Sequence, residues 1–197
     1  QVIQMILNMM IEKLKLVDKY EHKLKNNLKV FGMWEINNEF LLFEIPNIFC
    51  LRFFNHKTKE TKTIKLKKNN ESQMTKYNVI DNHLFACYFK NNENGDTKYI
   101  DIYNIELDKI TFHKTIEFQH RYLIKTFIKV NEHTLIANDY VGNICLFNAS
   151  KTENGFDMAF KDVFRAHEGM ISSLSLFDDN KVLSISDDGD VKLWEFK

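Results

Sequence analysis

The sequence predicts an all-β protein made of repeated antiparallel units and preceded by an N-terminal α-helix. Three observations support this fold class. After residue 27, short runs rich in Phe, Ile, Val, Thr and Tyr alternate with clusters of Asn, Asp, Gly and Lys, a pattern typical of antiparallel strands and their turns. The end of the chain repeats with a period of 47 residues, the interval from His120 to His167. The first 27 residues instead place apolar side chains at helical spacing.

The N-terminal segment, residues 1–27, is predicted to be an amphipathic helix. Its apolar positions advance in alternating steps of four and three, as in a coiled-coil seam: Ile3, Leu7, Met10, Leu14 and Val17. Additional apolar residues widen this face, so the helix either packs on its own domain or on preceding sequence, or mediates self-association through residues 3–24. Glu12 and Lys13 end the apolar run far short of the roughly 20 residues that cross a bilayer. We therefore expect no membrane span.

Residues 28–197 are predicted to form β-sheets throughout, divided into units at about 29–72, 73–117, 118–166 and 167–197. Short turns favour hairpins between consecutive strands. The strands expected before residue 117 are 29–36, 39–45, 48–54, 61–67, 76–80, 83–89, 99–105 and 110–116.

Regularly spaced strands alone are compatible with a sandwich, a barrel or a stack of blades, and the internal repeat favours the stack of blades. Each unit contains a His, an apolar strand, a second strand, a glycine turn and a strand that ends in an aromatic residue. The matching pairs are His120 with His167, Ile124 with Ile171, Phe127 with Leu174, Ile136 with Leu183, Gly142 with Gly189, Ile144 with Val191, Leu146 with Leu193, and Phe147 with Trp194.

The last unit resembles the WD repeat, one four-stranded blade of a β-propeller. This resemblance implies a hydrogen-bonded chain of four structural residues: His167 before the inner strand, Ser186 on the second strand, Asp188 in the tight turn and Trp194 on the third strand. Such groups are unfavourable to bury singly but satisfy one another as a network.

The preceding unit departs from this pattern. Asp139 stands at the serine position, Val141 at the aspartate position and Phe147 at the tryptophan position. We therefore expect this blade to keep its apolar skeleton and to lose most of the polar network. Earlier units are assigned as blades from strand spacing alone.

Residues 28–197 cover fewer than four full periods of 47 residues, whereas propellers close with four to eight blades. Two alternatives follow: the blades belong to a larger propeller, or the ring closes with another chain. The outer edge of the last predicted strand, 191–196, has no following strand, and exposed edges are normally paired. We expect residues 28–33, other sequence or another subunit to pair it. Because the chain begins with Gln1, we also expect preceding residues in the natural protein.

Composition and motifs argue against catalysis. Lys plus Arg and Asp plus Glu number 27 each, so no overall positive field favours nucleic acid. Neither His-x-x-x-His nor Cys-x-x-Cys spacing occurs, and no glycine-rich phosphate loop is present. We predict a non-enzyme without metal or cofactor. Cys50, Cys87 and Cys145 lie in separate apolar stretches, which indicates reduced, buried thiols and a cytoplasmic or nuclear location.

Two surfaces are candidates for partner binding. The first is the predicted top face of the propeller, formed by turns around 118–122 and 165–170, where Arg121, Tyr122, Arg165 and Glu168 are residue types suited to interface contacts or to electrostatic steering. The second is a basic strand and its flanks. Its lysines either contact RNA or an acidic partner, or only solvate an edge and discourage aggregation: Lys57, Lys59, Lys62, Lys65, Lys67 and Lys68.

The leading functional hypothesis is a non-catalytic scaffold or adaptor that binds other proteins of a multi-subunit complex. The alternative is an RNA-associated or ribonucleoprotein-associated propeller that uses Lys62, Lys65, Lys67 and Lys68.

Overall fold

A computed structural model describes residues 32–36, 39–45, 50–66, 72–90, 97–106, 109–152 and 155–196. These ranges contain strands and turns, with no helix among them. The strands are β1 (Gly32–Glu35), β2 (Phe40–Ile45), β3 (Cys50–Asn55), β4 (Thr61–Lys65), β5 (Ser72–Ile80), β6 (His83–Lys90), β7 (Thr97–Glu106), β8 (Lys109–Gln119), β9 (Ile124–Asn131), β10 (Thr134–Asp139), β11 (Asn143–Thr152), β12 (Gly155–Arg165), β13 (Ile171–Asp178), β14 (Lys181–Ser186) and β15 (Val191–Glu195).

The strands form four separate antiparallel sheets, each a meander in chain order. We call them blade one (β1–β4), blade two (β5–β8), blade three (β9–β12) and blade four (β13–β15). The first strands of blades two, three and four lie beside one another, β5 against β9 and β9 against β13. The chain therefore enters these blades at an inner strand and leaves blades two and three at an outer strand, as in a propeller.

Apolar clusters between consecutive blades hold the sheets together. One cluster joins blades one and two, a second joins blades two and three, and a third joins blades three and four. The second cluster is rich in aromatic rings; Phe127 packs on Phe85 and Phe147, with centroid distances of 5.7 Å and 5.5 Å. The middle strands of blade three lie between blades two and four. Leu135 and Ile136 of β10 therefore both have 0% exposure, although their side chains point to opposite faces of the sheet.

Sequence and structure agree on the fold class, an all-β chain of propeller blades. The eight strands expected before residue 117 correspond in order to β1–β8, although β5 begins earlier, at Ser72. Residues 72–75 are mostly polar and carry little apolar signal, but their backbone still pairs with β6. The predicted helix 1–27, with its proposed self-association seam 3–24, lies outside the described residues.

The expected closing strand 28–33 needs a correction. Gly32 and Met33 belong to β1 and pair with Glu44 and Phe43 of β2, because β1 supplies the fourth strand that blade one needs. Residues 28–31 lie outside the described ranges. Within those ranges, no helix has the length and hydropathy that crossing a membrane requires.

The first prediction compares two leucines on strands. Leu135 is fully buried between blades, whereas Leu193 is 54% exposed. Leu135→Ala should lower the free energy of unfolding by about 2–5 kcal/mol through lost burial and a cavity, and Leu193→Ala by less than about 1 kcal/mol. Urea denaturation of the two variants measures the difference. Equal losses would contradict the proposed inter-blade core.

Candidate functional site

A chain of hydrogen bonds crosses blade four from its third strand to its tight turn. Trp194 Nε1 donates to Ser184 Oγ at 2.8 Å, and the Ser184 hydroxyl donates to His167 Nε2 at 2.7 Å. The opposite ring nitrogen, His167 Nδ1, donates to Asp188 Oδ2 at 3.0 Å. His167 is 1% exposed, so each member supplies the partner that burial demands.

The structure corrects the predicted serine: Ser184, and not Ser186, links His167 to Trp194. Both serines lie on the same face of β14 and both are buried. In the hairpin register, however, Ser184 faces Lys192 and Val182 faces Trp194, so Ser184 is the serine diagonal to the indole. Ser186 Oγ instead accepts the backbone N–H of Asp188 at 3.2 Å, which supports the turn.

Asp188 anchors the loop that enters blade four. Its carboxylate accepts the N–H groups of Asp190 and Glu168, at 2.9 Å and 3.0 Å. The Asp190 N–H contributes most to lowering the pKa of Asp188, and His167 and Glu168 lower it further; desolvation opposes them but is outweighed. Asp188 therefore stays ionised, and the loop 167–169 is held on the turn 187–190.

Blade three has a reduced version of this network. His120 Nε2 lies 3.1 Å from Asp139 Oδ2, and both residues are buried. Asp139 also accepts the backbone N–H groups of Val141 and Asn143, at 2.9 Å and 3.0 Å. Burial alone would raise the pKa of Asp139, but these hydrogen bonds outweigh it and lower that pKa. The position equivalent to Ser184 is Ala137, which cannot join a hydrogen-bonded chain, whereas Asp139, one period before Ser186, takes over the turn-holding role of the missing aspartate.

Two sets of described side chains with potential metal-binding or nucleophilic chemistry are the His167–Asp188–Asp190 cluster and the thiols of Cys87 and Cys145. Donor atoms of His167, Asp188 and Asp190 lie within 4.8 Å of one another, but His167 Nδ1 and Asp188 are bonded to each other. Burial raises the pKa of the thiols of Cys87 and Cys145 far above their usual range, so neither forms a thiolate nucleophile at neutral pH.

Arg121 and Tyr122 lie together in the loop that enters blade three. The Arg121 guanidinium carbon is 5.5 Å from the centre of the Tyr122 ring, a cation–π distance, and Arg121 is exposed. The ring of Tyr122 also makes an edge contact with His120, with centroids 6.2 Å apart. The buried His120–Asp139 pair therefore helps to fix the position of the half-buried Tyr122 ring, and Tyr122 in turn supports the exposed Arg121 guanidinium.

Arg165 and Glu168 lie at the entrance of blade four. The Arg165 guanidinium donates to the carbonyl of Val141, in blade three, and to the carbonyl of Glu168 at 2.7 Å. Arg165 therefore holds two loops together, a structural role that the sequence analysis missed. Glu168 is exposed, with 91% of its side chain accessible, and its backbone is fixed by Asp188.

The described lysines of the predicted basic surface lie in blade one, away from these loops. Lys57 forms an ion pair with Glu39 in the turns of blade one, while Lys59 and Lys62 are exposed on the β3–β4 turn and on β4. Lys65 ends β4, and Lys67 and Lys68 lie outside the described residues. The structure therefore separates the two predicted surfaces. Residues 57–62 lie at the β3–β4 end of blade one, whereas residues 121–122 and 165–168 lie at the entrances of blades three and four.

The second prediction tests which serine belongs to the network. Ser184→Ala removes a partner from both His167 and Trp194 and should lower the free energy of unfolding by about 1–3 kcal/mol. Ser186→Ala, the matched control, removes one acceptor at the turn and should lower it by less than about 1 kcal/mol. His167→Ala and Trp194→Ala should each lower it by about 2–4 kcal/mol. Guanidinium denaturation ranks the variants, and a greater loss in Ser186→Ala would refute the corrected assignment.

The third prediction concerns pH. Because folding lowers the pKa of Asp188 below its usual value near 3.8, its ionised form stabilises the fold above about pH 4. That contribution is lost as the pH falls through the lower, folded-state pKa. Asp188→Asn should therefore be less stable than the parent at pH 7, and this gap should narrow between about pH 4 and pH 2. Urea denaturation midpoints of both chains across this pH range measure the difference in stability. A difference that stays constant with pH would contradict the role of ionised Asp188 as the loop anchor.

Comparison with known proteins gives the fold. No family model matches the sequence. The WD40 domain of SCAP from fission yeast matches 87% of this chain with 13% identity and a TM-score of 0.56. The WD40 β-propeller domain of Doa1 matches 87% with 14% identity and a TM-score of 0.58. A Dictyostelium discoideum protein named UDP-galactose:fucoside alpha-3-galactosyltransferase is 26% identical over 68% of this chain.

The chain spans only part of each of these proteins: 43% of the SCAP domain, 52% of the Doa1 domain and 20% of the Dictyostelium protein. The described strands match the order of propeller blades, and the solved structures share their arrangement in space. The described part of this chain therefore has the fold of four consecutive β-propeller blades, as in these two WD40 domains.

Proposed function

We propose that this chain is a non-catalytic interaction scaffold whose top face binds a partner protein within a larger complex. We define the top face as the entrance loops 120–123 and 166–170 together with the turns 139–143 and 187–190. The observation that carries the proposal is the pair of exposed Arg121 and half-buried Tyr122 on a loop that a buried hydrogen bond between His120 and Asp139 holds in place. Aromatic and Arg side chains on a fixed frame lose little entropy on binding.

Charge supports the same surface. Arg121 presents a cation, and Glu168, one blade further on, presents a carboxylate that is 91% accessible although it lies 3.7 Å from the Arg165 guanidinium in a surface ion pair. A partner with complementary charges would gain specificity and association rate from such a pattern. The proposed partner is thus a protein surface with an acidic group for Arg121 and a basic group for Glu168.

A scaffold also agrees with the chemistry of the site. The described thiols are buried with raised pKa values, and the described His–Asp cluster is occupied by its own hydrogen bonds. The name of the Dictyostelium relative does not supply an activity for this chain, because the match covers 20% of that protein. RNA binding through the lysines of the predicted basic surface is the alternative function. The binding experiment below distinguishes it from the scaffold.

The fourth prediction uses photo-crosslinking in cells. Tyr122 replaced by p-benzoylphenylalanine should yield a defined protein adduct, because it retains an aromatic ring on the top face. The matched control carries the same group at His133, an exposed residue in the turn between β9 and β10 at the opposite end of the sheet. An adduct that forms equally at both positions would contradict a top-face site.

With the crosslinked partner purified, the triple variant Arg121→Ala, Tyr122→Ala, Glu168→Ala should bind it at least about tenfold more weakly, as expected when hot-spot residues are lost. Its melting temperature should change little, because Arg165, which joins two loops, is left intact. If binding survives these changes but is lost on neutralising Lys62, Lys65, Lys67 and Lys68 and on nuclease treatment, the RNA-associated alternative replaces the scaffold.

A further inference from the structure

A cleft of about 420 Å³ lies at the end of blade one that carries the β3–β4 turn. Two of its lining residues are aromatic, and the rings of Phe40 and Phe53 meet edge to face with centroids 6.0 Å apart. The other lining residues are polar and belong to the turn and to β4. We call this site the blade-one cleft; its lining residues are Phe40, Phe53, Asn55, Glu60, Thr61 and Lys62.

The junction between blades two and three shows how the equivalent space is filled elsewhere in the molecule. There Phe156 is 8% exposed, and its ring packs on His83 and Phe85 with centroid distances of 5.1 Å and 5.6 Å. His83 has in β6 the place that Phe40 has in β2, because each residue begins its strand and pairs with an asparagine of the next strand.

The residue equivalent to Phe156 in blade two has a smaller side chain. Phe156 is the second residue of β12 and Ile110 is the second residue of β8, and each pairs with the penultimate residue of the preceding strand. Ile110 packs in the apolar cluster that joins blades one and two, as does Phe40. Atoms that line a void lose dispersion contacts. An aromatic side chain from another molecule would supply beside Phe40 the contacts that Phe156 supplies in the next junction.

The rim of the blade-one cleft carries an excess of positive charge. Residues 55–62 include three lysines and one glutamate, and Lys59 and Lys62 are exposed. Even with Glu39, which forms an ion pair with Lys57, the cations outnumber the carboxylates. Complementary charge guides association and specificity. A segment that fits this cleft therefore carries acidic residues.

Hydrogen bonds fix the rim before anything binds. Asn55 Oδ1 accepts the N–H groups of Lys57 and Thr58, at 2.9 Å and 3.0 Å. The Asn55 carbonyl accepts the N–H of Lys59 at 2.8 Å. A turn held in this way loses little conformational entropy when a ligand binds.

The arrangement of the rings favours a peptide over RNA. Single-stranded nucleic acid is held by bases that stack on accessible ring faces. Phe53 is 1% exposed, and the Phe40 ring stands at 79° to it, so Phe53 offers no open face to a base. The Glu60 carboxylate on the rim would also repel phosphate groups.

We propose that the blade-one cleft binds a short acidic segment of a partner protein through one aromatic side chain. The aromatic ring enters beside Phe40 and Phe53, as Phe156 does in the next junction. Acidic residues on either side of it face Lys62 and the turn 57–59. The cleft lies away from the entrance loops, and binding there does not depend on the proposed top-face function.

Selection from a phage-displayed library of random heptapeptides, with the whole chain as bait, tests this site. The enriched peptides should share an aromatic residue flanked by Asp or Glu. Synthetic copies should bind Lys62→Glu at least about tenfold more weakly than the parent, because the reversed charge repels their acidic flanks. The matched control is Lys161→Glu, which reverses an exposed lysine on the outer strand β12. It should bind the peptides within about twofold of the parent.

Nuclear magnetic resonance locates the bound peptide independently. Amide resonances of residues 55–62 should shift when it is added, and those of the entrance loops 120–123 and 166–170 should not. The triple variant Arg121→Ala, Tyr122→Ala, Glu168→Ala should bind the peptide as the parent does, which separates this site from the top face.

Three outcomes would overturn the proposal. The first is a selection that enriches no acidic and aromatic motif. The second is equal binding of the peptides by the parent and by Lys62→Glu, or loss of binding in the top-face triple variant. The third is displacement of the peptide by a random-sequence RNA oligonucleotide, which would assign the cleft to nucleic acid.

Discussion

Burial of both faces of each interior blade is the constraint on which this structure depends. A single β-sheet can bury one face against another layer, but the middle strands of blades two and three are apolar on both faces, so each blade needs a neighbour on either side. This requirement stacks the sheets side by side, and the right-handed twist of strands turns the stack into a fan. Leu135 and Ile136, adjacent in sequence and both fully buried, show the consequence most directly.

Polar networks then fix the loops and turns that form the top face. The apolar clusters set the distance between blades, but they give no precise position to the loops that join them. His167 and Asp188 fix one entrance loop, and His120 and Asp139 fix the preceding one. Exposed side chains on these loops, such as Arg121, therefore stand on a fixed backbone. The same hydrogen bonds that stabilise the turns also make the top face suitable for recognition.

The sequence predicts the fold well because its signal is periodic. Strand spacing locates β1–β8, and the 47-residue repeat identifies the last blades from His167 and Trp194. The serine of the network was misassigned because Ser184 and Ser186 share a strand face, and only the hairpin register places Ser184 diagonal to Trp194. In the β14–β15 hairpin the first pair after the Gly189 turn is Ile185 with Val191, and the next is Ser184 with Lys192. The double role of Arg165 depends on the approach of two loops from different blades, which no local pattern encodes.

The serial arrangement of the apolar clusters also determines how the blades separate on unfolding. Three apolar clusters link four blades in series, so the free energy of the fold is distributed over nearest-neighbour junctions, as in linear repeat proteins. Among the described blades, blades two and three each take part in two of these clusters, so separating either one from its neighbours disrupts two junctions at once. The aromatic cluster between them is therefore the junction whose loss divides the described blades into two pairs.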